Sequence, residues 1–148
     1  MERVTTTDIL ALENQLCFAA VTAARNIVQA YRPVLEPLGL THPQYLVMLA
    51  LWERDPRSLG ELAAALALEP ATVSPLVKRL EAQGLLVRTR RPGDERTLDI
   101  AVTDTGRALR AQALEVPAQV LARTGLTVDE AVALRDALAR FAGAKPSA

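Results

Sequence analysis

The chain is poor in the residues that most site chemistry uses. Of its 148 residues one is cysteine and one is histidine. That excludes an intrachain disulfide framework, a cysteine-cluster metal site and a histidine-based metal set. No paired carboxylates, nucleophile–base pair or glycine-rich phosphate loop stands out, so the expectation is no catalytic residue, no metal and no cofactor. Apolar runs fall short of the ~20 residues a membrane span requires, and no signal peptide opens the chain; the expected compartment is the cytoplasm, with no membrane partner. Aromatic residues make up only 3%, while alanine and leucine dominate, which favours helix over sheet. An excess of charge is missing too: 17 basic side chains balance 17 acidic ones.

What is present is unevenly placed. Residues 71–110 hold eight cations (Lys78, Arg79, Arg88, Arg90, Arg91, Arg96, Arg107, Arg110) against five anions (Glu81, Asp94, Glu95, Asp99, Asp104). The rest of the chain is correspondingly acidic. A basic module inside an acidic frame is a footprint of nucleic-acid binding.

The hydrophobic pattern organises the chain. Ile9, Leu12, Leu16, Ala19, Ala20, Ala23, Ile27 and Ala30 recur at helical spacing, predicting one helix over about 7–31 that Pro33 and Pro37 break. Three helix starts follow. Thr41-His-Pro-Gln44 and Ser58-Leu-Gly-Glu61 have the form of capping boxes, and Pro70 suits the first position of a third helix running to about Gln83. Pro75 inside that helix predicts a bend or a late start. After Gly84 the period changes to two. Leu85–Arg90 and Thr97–Val102 read as strands around the turn sequence Arg91-Pro-Gly-Asp-Glu95. Thr103 caps a helix to about Ala122, bent at Pro117. Thr127-Val-Asp-Glu130 opens the last helix, which ends near Phe141.

Three short helices and a hairpin make a winged helix-turn-helix, so the fold class is mainly α with a small β wing. We divide the chain into an N-terminal dimerisation helix (1–40), the winged module (41–102) and C-terminal dimerisation helices (103–148), packed as one compact domain. A helix fits the major groove and presents side chains to base edges. On the third helix Val73, Leu76, Val77 and Leu80 form the buried stripe. Thr72 and Ser74 are placed to reach bases or phosphates, and Lys78 and Arg79 to hold phosphates. Arg90, Arg91 and Arg96 at the hairpin tip can enter a narrow minor groove, with Asp94 as the intramolecular partner that orients Arg96. The bland alternative is a solvated charged turn.

Ser58–Ala82, Gly84-Leu-Leu and Asp94-Glu-Arg96 resemble the MarR family of winged-helix repressors over nearly the whole chain. The resemblance implies a homodimer with interleaved terminal helices, bound to a pseudo-palindromic operator of double-stranded DNA. Apolar faces on the terminal helices independently favour a dimer.

The cysteine lies in a telling neighbourhood. Leu12-Glu-Asn-Gln-Leu-Cys17-Phe-Ala resembles the sensing segment of the organic hydroperoxide resistance regulators, a MarR subfamily. So do Tyr31-Arg-Pro-Val-Leu-Glu-Pro-Leu-Gly-Leu-Thr and Pro43-Gln-Tyr-Leu-Val-Met-Leu-Ala-Leu-Trp52. The resemblance implies that a hydroperoxide oxidises Cys17, with tyrosine hydroxyls of the partner subunit bonding the thiolate. Tyr31 matches one such tyrosine. The second is His42 here, either a hydrogen-bond donor or merely a surface residue, and a further tyrosine position is Val21. Tyr45 reads as core. Phe18, Leu49, Trp52 and nearby alanines are candidate walls of an apolar pocket. With no second cysteine, a one-cysteine route remains: a mixed disulfide with a low-molecular-weight thiol, a sulfenamide, or overoxidation. Three other readings stay open: a repressor released by a small phenolic or amphipathic ligand with Cys17 structural, a thiol peroxidase, and a purely structural helical dimer.

Overall fold

In the computed structural model, which describes residues 6–142, the elements follow in the order α1 (Thr6–Ile9), α2 (Leu16–Leu35), α3 (His42–Glu53), β1 (Arg57–Ser58), α4 (Leu59–Leu66), α5 (Pro70–Ala82), β2 (Leu86–Arg91), β3 (Asp94–Val102), α6 (Asp104–Ala113), α7 (Val116–Thr124) and α8 (Val128–Ala142). The described residues divide into two units, one within residues 6–31 and 117–142, the other of residues 32–116.

The second unit is the winged module, and its helix starts are those the capping boxes predict. The Thr41 hydroxyl accepts from the Gln44 backbone N–H, and the Gln44 side chain accepts from that of Thr41. Ser58 and Glu61 repeat the arrangement at α4. Each box satisfies two N–H groups that a helix start otherwise leaves orphaned. Thr103 caps α6 by accepting from the Gly106 N–H. The core gathers Leu35, Val47, Met48, Leu51, Leu62, Val73, Val77, Leu80, Leu86 and Ile100, with Tyr45 also buried as expected. Leu76 is only half-buried.

Four expectations need correction. The first helix is broken: a 3-10 turn, Leu12–Asn14, separates α1 from α2. Side-chain amides explain the break. Gln15 donates to the carbonyls of Ile9 and Ala11 at 2.7 and 2.9 Å, and Asn14 donates to that of Asp8, so local side chains take the carbonyls a continuing helix would use. Pro33 does not end α2, which runs on to Leu35. Burial of Val34 and Leu35, at roughly 1.5–3 kcal/mol for each fully buried side chain, offsets the ~3 kcal/mol cost of an interior proline. Pro75 does not delay α5 either. The helix starts at Pro70 and runs through Pro75, which lies on the exposed side, opposite buried Val73, Val77 and Leu80. The helix after Thr103 is two helices, parted at Leu114–Glu115. Pro117 then occupies the first turn of α7, where its missing N–H costs nothing.

The sheet is antiparallel, in the order β1-β3-β2. Arg88 stands opposite Ile100 and Thr89 opposite Asp99, while Arg57 and Ser58 pair with Ile100 and Asp99 from the other side. β2 is shifted by one residue and β3 begins three residues earlier than expected, which leaves only Pro92 and Gly93 as the turn. Gly93 takes φ 80°, a left-handed conformation that glycine adopts without steric cost.

Candidate nucleic-acid interface and sensing cysteine

The helix α5 presents one face outward. Val73, Val77 and Leu80 are buried, which turns Ala71, Thr72, Pro75, Lys78, Arg79 and Ala82 to the exposed side. At 100° per residue, Thr72 and Arg79 fall on one flank of that side. Lys78 and half-buried Ser74 fall on the other, with Ala71, Pro75 and Ala82 between them. Small side chains along the midline let the backbone approach a groove floor. The cations on the flanks stand where phosphates rise on either side of a groove. Lys78 and Arg79 make no ion pair among the described residues.

The wing sorts its arginines into two kinds. Arg96 and Arg90 are exposed at the tip; the Arg96 guanidinium has no bond among the described residues, and Arg90 donates weakly to the Glu95 carbonyl at 3.3 Å. Arg91 is engaged instead. Its guanidinium donates to Asp99 at 2.9 and 3.1 Å and to Glu61 on α4 at 3.1 Å. Arg88 pairs with Glu81 on α5 through two 3.0 Å bonds. Asp94 bonds the backbone of the turn and not the Arg96 guanidinium: one carboxylate oxygen accepts from the Arg96 N–H at 3.0 Å and the other from the Thr97 hydroxyl at 2.6 Å. These two donors hold the Asp94 carboxyl below its ordinary range, Thr97 first. Hydrogen bonds from Arg91 and Arg88 do the same for Glu61 and Glu81.

Glu61, Asp99, Glu81 and Arg88 are functional candidates that sequence reasoning missed. Asp99 sits at a polar position of the β3 alternation, where exposure was the natural reading, yet it is buried. Nothing in linear spacing links it to Glu61, 38 positions earlier.

Cys17 is the second residue of α2 and its thiol is exposed. Leu16, Phe18 and Val21 beside it are exposed as well. Tyr31 stands on the same helix, 14 residues on, so the two Cα atoms are about 21 Å apart at 1.5 Å per residue. Within one chain the phenol therefore cannot reach the thiol. Tyr31 is half-buried, and burial raises its phenol above the ordinary range, which keeps the O–H donor intact. His42 opens α3 in the other unit. It too is half-buried, and burial pushes its imidazole below the ordinary range, favouring the neutral ring with one N–H donor. Leu49 and Trp52 also belong to that unit; the Trp52 indole N–H donates to the Gly106 carbonyl at 3.0 Å. Among the described residues no group of three or more metal-ligating side chains occurs, and no helix is long and apolar enough to cross a membrane.

A helix-turn-helix followed by a cation-tipped hairpin defines a winged-helix DNA-binding protein. Residues 40–98 match the MarR family model. The chain is 46% identical over 132 residues to the HTH-type transcriptional regulator TtmR of Methylorubrum extorquens, covering 89% of this chain and 68% of the relative. It is 36% identical over 131 residues to the organic hydroperoxide resistance transcriptional regulator of Bacillus subtilis, covering 88% and 89%. Among solved structures, BpsR of Bordetella bronchiseptica, whose DNA binding is regulated by 6-hydroxynicotinic acid, matches with a TM-score of 0.82 at 28% identity, over 91% of this chain and 98% of that one. The chain belongs to the MarR family and is a DNA-binding transcriptional regulator.

Proposed function

We propose that the protein is a homodimeric repressor that senses organic hydroperoxides through Cys17. The reading is carried by the exposed thiol on α2, in a chain that matches a regulator named for organic hydroperoxide resistance over most of both lengths. The Cys17 thiolate attacks the peroxide: sulfur takes the distal hydroxyl oxygen, the O–O bond breaks, and the leaving alkoxide takes up the proton the thiol had released, giving a sulfenic acid and an alcohol. The sulfenic acid then condenses with a small cellular thiol, losing water and leaving a mixed disulfide. In this reading Tyr31 serves the thiol of the partner subunit, since about 21 Å along α2 keeps it from its own, and His42 is the second donor. An adduct at Cys17 displaces these contacts and shifts the two winged modules away from the 34–36 Å half-site spacing of one duplex turn. On the pseudo-palindromic operator, Thr72 and Ser74 reach bases or phosphates, Lys78 and Arg79 hold phosphates, and Arg90 and Arg96 enter the minor groove.

The test is operator binding by Cys17→Ser. The reduced variant should bind as the parent does, and an organic hydroperoxide plus a small thiol should release the parent alone, in step with a Cys17 adduct seen by mass spectrometry. Release of both proteins, with Cys17 unmodified in the parent, supports the second reading: a small amphipathic ligand is the trigger, in the manner that the name of BpsR describes for that protein.

A further inference from the structure

Two ion-pair clamps hold the wing, one on each of its faces. Arg88 shares a face with its partner Ile100, so neighbouring Asp99 belongs to the other face by the two-residue period of a strand. On the first face Arg88 reaches Glu81 of α5. On the second, Arg91 spans buried Asp99 and Glu61 of α4. Glu61 is already committed: its carboxylate accepts from the Ser58 N–H in the capping box at 3.4 Å and from Arg54 at 3.4 Å. The wing is thereby tied to the first turn of α4 and to the C-terminal half of α5.

We propose that Arg91 is a positioning residue for DNA recognition: with Glu61 and Asp99 it fixes the angle of the wing relative to the helix-turn-helix, so that Arg96 is aimed before DNA arrives. The geometry gives three reasons. Arg91 is engaged with carboxylates through Nε and Nη2, whereas Arg96 and Lys78 are free of ion pairs among the described residues. Arg91 ends β2, directly before the two-residue turn, so its restraint acts far from the base of the hairpin, where it limits the angle of the wing most. Its second carboxylate lies 30 positions away in the sequence, on the helix that precedes α5, so the contact fixes the wing against the reading module rather than within itself. A wing already held in its bound orientation loses less freedom on binding.

Charge-removing variants separate positioning from direct contact, because Glu61→Gln and Asp99→Asn leave Arg91 in place. Gln also serves in a capping box, so Glu61→Gln retains the start of α4 and keeps the test open if Asp99→Asn fails to fold. The full-length protein is titrated with a duplex operator selected from a randomised library by the parent, over a range of salt. Glu61→Gln should weaken binding about three- to tenfold, the effect of freeing one or two ordered side chains. The slope of log K against log salt should be unchanged, and hydroxyl-radical protection under the wing should be reduced. Arg91→Ala should weaken binding similarly, and the double variant no further. The inference is overturned if Arg91→Ala lowers the salt slope by about one, the signature of a lost phosphate contact, while Glu61→Gln binds as the parent does. It is overturned equally if neither variant changes affinity.

Discussion

At the residue scale the arginines of the basic module carry different duties that their shared charge conceals. Arg96 is exposed and its backbone N–H is held by Asp94, whereas Arg88 and Arg91 are bound to carboxylates. Arg96→Ala should therefore weaken binding to all duplexes while leaving the circular dichroism spectrum unaltered. Its salt slope should drop by about one, as should that of Lys78→Ala, for one phosphate-region cation lost; an unchanged slope would make both residues solvated charges. His42 provides a pH signature. Burial holds its imidazole below the ordinary value, so protonation favours the unfolded chain. Its contribution to stability is whole above about pH 6.5, the unperturbed histidine value, and declines as pH falls below that. As His42 is the single histidine, its one imidazole resonance should titrate below 6.5 by NMR in Cys17→Ser, which carries no thiolate; a midpoint above 6.5 there would point to another neighbouring anion.

At the scale of elements, α6 makes a close approach to its neighbours near its start. A Cβ on Gly106 would stand 2.3 Å from the Leu85 carbonyl oxygen and 2.7 Å from a Val102 methyl. The Gly106 carbonyl meanwhile accepts from Trp52, so α6, the end of β3 and α3 meet where no side chain fits. Gly106→Ala should cost about 1–3 kcal/mol through overpacking, read as a lowered denaturant midpoint with little change in slope. A neutral result would mean that α6 shifts freely. The hairpin shows the same dependence on surroundings: its turn closes on Gly93, and its arginines reach carboxylates of α4 and α5.

At the scale of the whole molecule, residues 6–31 and 117–141 leave large apolar side chains in water. Leu12 is 63%, Leu16 81% and Phe141 79% exposed, which a soluble monomer of this size does not favour. We expect sedimentation at about twice the 16.0 kDa chain mass, and Leu16→Asp with Phe141→Asp to shift the protein toward the monomer. DNA affinity should then fall by orders of magnitude, since two linked modules gain an effective local concentration that single ones lack. A monomeric parent that still binds operator tightly would remove the dimer and, with it, the assignment of Tyr31 to the partner's thiol.

The sequence by itself determined what depends on local chemistry. Capping boxes at Thr41, Ser58 and Thr127 set helix starts because a hydroxyl and a carboxylate or amide three residues apart meet the same orphan N–H groups wherever they occur. The alternation of Leu98, Ile100 and Val102 marked β3, and the stripe of Val73, Val77 and Leu80 oriented α5 and hence its polar face. Tertiary structure decided what depends on partners distant in the chain. β1 is two residues long and exists only because β3 pairs with it; Asp99 is buried only because Arg91 and the sheet cover it. The continuation of α2 through Pro33 rests on burial of Val34 and Leu35, which no helical period encodes. Which arginines remain free for DNA was likewise illegible, because charge is a property of a residue, whereas a salt bridge is a property of where two residues meet.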